Sequence, residues 1–218
     1  MQHFTDQESW SPFALLLIDV QRDFWPEQVA QAFPQFEENV ARLLTFCRTT
    51  GIEVIHLRAA FAPDQSDWMA KYKLLGRVPC IRETPGMAIL PCAAALPGEV
   101  VLEKQSFDGF QMPALLPLLR ARGKRFLLTA GIRTSVCVLF TTASAAQQGF
   151  LTAVVEDCCA DHAEKHKRVL RDYPFIFERT TVEQLADRHK AWLAMLAILA
   201  EERGCISILG HNAVETAG

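Results

Sequence analysis

The chain has 218 residues, half of them hydrophobic and 22% charged, the balance of a globular domain with a sizeable core and not that of a disordered chain or a coiled coil. Twenty-two Lys and Arg stand against 25 Asp and Glu, a net charge of −3. That leaves no basic stripe to follow a phosphate backbone, and no nucleic acid is expected as a partner.

Short apolar runs alternating with helical patterns predict βαβ units. The expected fold is a three-layer α/β/α arrangement around a mostly parallel sheet of about six strands, in a single domain over residues 1–218. The first run, FALLLIDV from Phe13 to Val20, is apolar on both faces, as a central buried strand must be. Val40, Leu43, Leu44 and Cys47 recur at helical spacing in a helix from Phe36 to Thr49 that Gly51 stops, and Ile52 to Leu57 forms a second strand. From Ala59 to Gly98 the pattern loses regularity and prolines punctuate it. This long excursion reads as a lid or a binding wall containing a short helix from Trp68 to Leu75. Glu99 to Leu102 is a third strand, Pro113 to Arg122 a helix ended by Gly123, and Arg125 to Ala130 a fourth strand broken by Gly131. A helix from Ser135 to Gln148 follows, then strand Leu151 to Val155, helix Asp161 to Arg171, strand Phe175 to Phe177 and helix Val182 to Glu202. The last is apolar around most of its circumference between Trp192 and Leu199. That suits either a helix clamped in its own core or, with the tail to residue 218, a subunit interface.

The seven cysteines, Cys47, Cys80, Cys92, Cys137, Cys158, Cys159 and Cys205, contain no C-x-x-C pair, which fits a reducing, cytoplasmic setting. The opening MQHFTDQESW has no basic stretch leading into an apolar one, and no window is apolar over the length of a membrane span. Neither export nor a membrane partner is expected.

Three residues emerge at predicted C-terminal strand ends, where doubly wound sheets bind ligands: Asp19, Lys104 and Cys137. Each alone has a plain alternative, a turn carboxylate, a solvated loop charge and an inert packed thiol. Cys137 lies in the first turn of a helix that Thr134 or Ser135 is placed to cap, where the unpaired N–H groups favour a thiolate and can hold an oxyanion. Together the three supply a nucleophile, a proton acceptor and a cation, a set able to run nucleophilic acyl transfer.

The motifs around these residues resemble those of the isochorismatase-like cysteine hydrolases, the superfamily of nicotinamidases, N-carbamoylsarcosine amidases and ureidoacrylate or biuret amidohydrolases. The resemblance runs through LLLIDVQRDF (Leu15 to Phe24), TPG (Thr84 to Gly86), PGEVVLEKQSF (Pro97 to Phe107), GIRTSVCVLFTTASAAQQGF (Gly131 to Phe150) and VVEDCCADH (Val154 to His162), with Lys104 and Cys137 33 positions apart. It implies Cys137 as nucleophile, Asp19 as general base and acid, Lys104 as the third catalytic residue, and a cis peptide at Ile132–Arg133. The N–H groups of Arg133 and Cys137 would then form the oxyanion hole. The implied enzyme is a cysteine amidohydrolase that cleaves a C–N bond of a small amide, carbamoyl or ureido substrate through a thioester, and a homo-oligomer.

Two departures refine that picture. HLRAAF, His56 to Phe61, lacks the Asp-x-His of the family's metal-binding members, so no metal and no cofactor are expected. Phe110-Gln111-Met112-Pro113 replaces the family's Gly-Thr after the lysine loop, on the substrate-side wall. Phe24, Trp68 and Phe107 are candidate pocket-lining residues, with core packing as the alternative for Phe24 and Trp68. His162 and His166 share one helix face without a third ligand, and Cys158 and Cys159 are expected to pack or to edge the site. Other readings of the chain are a vinyl-ether hydrolase of the isochorismatase type and a non-catalytic binding or scaffold protein of the same fold.

Overall fold

The computed structural model describes the backbone of residues 9–215 and the side chains of residues 9–201. The opening residues 1–8, the tail 216–218 and the side chain of Cys205 lie outside the described residues. Six strands, β1 (Phe13–Ile18), β2 (Glu53–Ala59), β3 (Val100–Lys104), β4 (Phe126–Ile132), β5 (Leu151–Ala160) and β6 (Glu178–Thr180), form a sheet in the order β3-β2-β1-β4-β5-β6. Every neighbouring pair is parallel. Helices α1 (Glu27–Ala32), α2 (Phe36–Thr50), α3 (Ala70–Leu75), α4 (Leu115–Ala121), α5 (Leu139–Gln147) and α6 (Ala163–Asp172) connect and flank it. A further helix, α7 (Leu185–Glu215), belongs to a second compact unit that begins at Gln184, whereas Trp10–Glu183 is the unit that holds the sheet. No helix among the described residues is long and apolar enough to cross a membrane.

The all-apolar β1 takes the central place, buried along its whole length between β2 and β4. The strand order reverses there, and the crevice outside the C-terminal ends of β1 and β4 is the point where open α/β sheets accept ligands.

Several boundaries differ from the sequence reading. The last strand is Glu178–Thr180 and not Phe175–Phe177: Phe175 is exposed, and the N–H groups of Ile176 and Phe177 turn back onto Tyr173 O. Strand β3 continues through Lys104 and β5 through Ala160, so both reach the crevice. Gly131 does not break β4, which continues to Ile132, but marks a register shift against β5. Its φ of +127° is closed to most side chains, and a Cβ there would collide with the backbone carbonyl of Ile18 on β1.

The excursion after β2 carries a small core of its own. Ala59, Phe61, Trp68 and Cys80 are buried together, with Phe24, Tyr72, Val78, Ile81 and Met87 packed against them. Two side chains from the stretch after β1 pin it down. Gln21 Nε2 donates to Ala59 O (2.9 Å) and Met87 O (3.0 Å) while its Oε1 accepts from Ala59 N–H (2.9 Å). Asp23 Oδ2 accepts the Cys80 N–H at 2.6 Å, and Gly86 comes so close to that carboxylate that no Cβ would fit. The QRD and TPG motifs are thus two sides of one joint.

A half-buried polar cluster joins α2, β2 and the start of β3. Arg48 grips Glu99 with Nε (2.8 Å) and Nη2 (2.9 Å), and Glu99 Oε2 also meets His56 Nε2 (2.9 Å) and the Leu96 N–H (2.8 Å). The Arg48 bonds, aided by Leu96 and His56, hold the Glu99 carboxyl at about 2.

Two outcomes follow from these contacts. Gly131→Ala should destabilise the fold by about 3 kcal/mol, since it adds backbone strain to a backbone clash; an unchanged denaturation midpoint would show that β1 and β4 can part without cost. Because the carboxyl of Glu99 is held below its unfolded value of 4.5, its contribution is complete above about pH 4.5 and drains away as pH falls toward 2. Glu99→Gln should therefore flatten the stability profile across that window, as read by urea titrations at stepped pH.

Candidate functional site

Asp19 follows directly on β1 with φ +51°, a left-handed turn that Asp tolerates, and this carries the chain off the sheet. Its N–H donates to Leu57 O and its carbonyl accepts from Gln21 N–H, each at 2.8 Å, so the neighbouring strand fixes the turn. The side chain is fully buried. Lys104, the last residue of β3, donates from Nζ to Asp19 Oδ2 at 2.6 Å and to Ser106 O at 2.8 Å, although β2 separates β3 from β1 in the sheet. The lysine loop is fastened in turn to α5, where Thr141 Oγ1 accepts the Gly109 N–H (2.9 Å) and Ser144 Oγ donates to Asp108 Oδ2 (2.6 Å).

Cys137 arrives from β4. The Ile132–Arg133 peptide bond is cis, and a π-helical turn, Thr134–Val138, precedes α5 and carries the thiol. Neither Thr134 nor Ser135 caps this turn, contrary to the sequence expectation. Thr134 Oγ1 pairs with His166 Nδ1 (2.9 Å), and Ser135 donates from its N–H (2.9 Å) and hydroxyl (2.5 Å) to Asp161 Oδ2.

The charges are set by burial and by one another. Burial pushes Asp19 above the ordinary carboxylate value, against the pull of the Lys104 charge and of hydrogen bonding from Cys137 and Lys104. For Lys104 burial works downward, but the charges of Asp19 and Cys137 and their hydrogen bonds outweigh it and hold the ammonium above its usual value. Burial and then the Asp19 charge push the Cys137 thiol well up, with Lys104 and the Arg133 N–H acting the other way. The expectation of a thiolate favoured by a helix N-terminus is corrected accordingly: burial and the neighbouring Asp19 favour the thiol. Asp19 Oδ1 is buried and lacks a partner at ordinary hydrogen-bond geometry, and the Cys137 thiol is the side chain set against this carboxylate.

The three groups face a cavity of about 190 Å³. Phe24, Phe61, Tyr72 and Phe107 make its aromatic wall, and Ala59, Ser106, Arg133 and Val136 complete the lining.

Residues 13–183 match the family model of the isochorismatase domain. The chain belongs to the isochorismatase family. It is 29% identical over 149 residues to the uncharacterized isochorismatase family protein YddQ of Bacillus subtilis, covering 67% of this chain and 77% of that one. It is also 29% identical over 136 residues to the ureidoacrylate amidohydrolase RutB of Methylorubrum extorquens, covering 55% of each. The chain therefore spans just over half of that relative. An isochorismatase family protein from Desulfovibrio vulgaris has the same fold, with a TM-score of 0.74 at 28% identity over 81% of this chain and 97% of that one.

Within this isochorismatase domain Asp19, Lys104 and Cys137 come together, and Phe24 and Phe107 line the cavity beside them. Trp68 does not line it. Its indole donates to Ala62 O (2.7 Å) and packs in the small core of the excursion. Gln111, Met112 and Pro113, from the stretch that departs from the family pattern, border a separate open cavity of about 350 Å³ beside β3. Cys158 and Cys159 are buried in β5 and line neither cavity. His166 serves Thr134, and among the described residues no group of three or more His, Cys, Asp or Glu is arranged to hold a metal ion. Sequence reasoning missed Phe61 and Tyr72. Both lie in the irregular excursion, where no periodicity marks which face points inward.

The Lys104–Asp19 pair should behave as one unit in stability. Lys104→Met strands a buried carboxylate and should cost about 3–5 kcal/mol, whereas the same change in an Asp19→Asn background should cost much less. Equal costs in the two backgrounds, measured by denaturant unfolding, would show that the pair is not coupled.

Proposed function

We propose that the protein is a cysteine amidohydrolase that needs no metal and cleaves a C–N bond in a small amide, carbamoyl or ureido compound. The observation that carries this reading is the meeting of Asp19, Lys104 and Cys137, from three strand ends, on one small cavity. A volume of about 190 Å³ lies below the roughly 300–1,000 Å³ of pockets for drug-sized ligands, so the reacting part of the substrate is small. The named activity of RutB, ureidoacrylate hydrolysis, supports the ureido class. The donor chemistry supports independence from a metal, because His56, from the stretch where family members carry Asp-x-His, is bonded to Glu99.

In this reading Asp19 takes the Cys137 proton as sulfur attacks the carbonyl carbon. Burial raises the basicity of this carboxylate, while the Lys104 charge favours its anionic form. The carbonyl oxygen becomes an oxyanion facing the N–H groups of Arg133 and Cys137. Collapse breaks the C–N bond, and the departing nitrogen leaves with the proton that Asp19 held. Water, deprotonated by Asp19, then attacks the thioester; the acid is released and the proton returns to sulfur. A thiol with a raised pKa fits this order of events, because the proton moves only when a carbonyl is in place to receive the sulfur.

Ammonia release from a panel of small amides, N-carbamoyl and ureido compounds, with a chelator present, tests the proposal. Wild type should release ammonia from at least one compound, and Cys137→Ala and Asp19→Asn should each lose at least about 10³-fold in kcat while remaining folded. Activity retained by Cys137→Ala would rule out the thioester route, and loss of activity to the chelator would rule out independence from a metal.

A further inference from the structure

We propose that Asp161 is a positioning residue that holds the Arg133–Cys137 turn in register for the reaction proposed above, and the inference rests on that reading of the site. Asp161 is the first residue after β5, is almost wholly buried and does not border the cavity. Its Oδ2 accepts both the N–H (2.9 Å) and the hydroxyl (2.5 Å) of Ser135, two residues before the nucleophile. Its Oδ1 accepts the His162 N–H at 2.7 Å and lies 3.8 Å from Arg133 Nη1. One carboxylate therefore reaches the residues on either side of Thr134, and Thr134 itself is tied to His166 on α6.

The arrangement exceeds what a turn needs to be stable. A buried carboxylate is costly unless donors surround it, and here three donors from Ser135 and His162 do so while the Arg133 guanidinium adds only a long ion pair at 3.8 Å, beyond hydrogen-bond distance. A neutral Ser or Asn would cap a turn with a smaller desolvation cost. The carboxylate provides something those side chains lack, two acceptor oxygens that fix Ser135 and the β5–α6 corner simultaneously. Arg133 and Cys137 lie at the two sides of this turn and both border the cavity, so a slip of the turn would move the nucleophile and the Arg133 backbone together.

The test uses the full-length protein and reads Cys137 directly. Asp161→Asn retains the shape but has a single acceptor oxygen, so either Ser135 or His162 loses its partner. Ser135→Ala removes only the hydroxyl bond, leaves the buried charge in place, and decides the matter if Asp161→Asn does not fold. The rate of Cys137 alkylation by iodoacetamide, followed by site-resolved mass spectrometry from neutral to alkaline pH, should fall about tenfold in Asp161→Asn and severalfold in Ser135→Ala, with melting of each folded variant still cooperative. For any amide that wild type hydrolyses, kcat should fall with KM unchanged.

Electrostatics alone predicts the opposite sign, because removing a negative charge near a thiol favours the thiolate. Alkylation that is unchanged or faster in the folded variants would overturn the proposal, and so would a wild-type Cys137 that does not alkylate at all. If Cys137 alkylates as expected but wild type hydrolyses no amide, the hydrolase reading fails while Asp161 is still judged by the alkylation rates.

Discussion

The buried contact between Lys104 and Asp19 is the constraint around which this domain is arranged. Removing two charges from water costs several kcal/mol per ion, and their attraction repays this only at short range with the remaining valences filled. Each partner therefore has to be held rigidly, and each is held by sheet. Asp19 is fixed by the end of β1 and its bond to Leu57, and Lys104 terminates β3, with Ser106 O accepting a second hydrogen bond from its ammonium. With β2 lying between their strands, the pair spans half of the sheet in front of the β1–β4 crevice. One carboxylate oxygen, Oδ1, is left without a conventional partner on the side of the thiol. A polar atom left wanting in that way is poor for stability and good for accepting a proton.

Much of what surrounds this pair serves to hold and shape it. Gln21 and Asp23 fasten the excursion after β2 to the end of β1, and Gly86 lets the Asp23 carboxylate approach. Asp108 and Thr141 tie the lysine loop to α5, and Asp161 with His166 grips the turn before Cys137. Of these residues none borders the cavity. A motif such as QRDF or SFDGF thus mixes one or two cavity residues with others whose work is to keep those in place.

The sequence was most legible where burial is two-sided. FALLLI is uniformly apolar and RFLLTA largely so, enough for their place inside a parallel sheet to be read directly, and Asp19 stood out because a carboxylate ends such a run. It was least legible where a neighbour in space decides the outcome. Gly131 looks like a strand breaker in one dimension, and its true role, a close approach to the Ile18 carbonyl, exists only once β1 and β4 are side by side. Phe175–Phe177 has strand-like composition, yet the turn at Tyr173 claims its N–H groups. Trp68 and Tyr72 are both aromatic residues of the same excursion, and only the fold of its small core sends one inward to Ala62 and the other to the cavity. The state of the Cys137 thiol was misjudged for a related reason. A helix N-terminus predicts a lowered pKa, but full burial beside an anion outweighs a dipole that acts over one turn.

Under the function proposed above, reactivity and selectivity belong to different parts of the chain. The groups proposed to react sit on strand ends whose positions follow from sheet pairing and from a charge pair that tolerates little movement. Half of the aromatic wall comes instead from the excursion, through Phe61 and Tyr72, and another part from Phe107 on the lysine loop. The excursion has its own core and is joined to the sheet through a handful of hydrogen bonds, so its inward-facing side chains can change size or polarity without disturbing Asp19 or Lys104. A domain built this way keeps one chemistry while its pocket is reshaped, and that division explains why the site motifs are clear in this sequence whereas the identity of the substrate is written in residues that no motif marks.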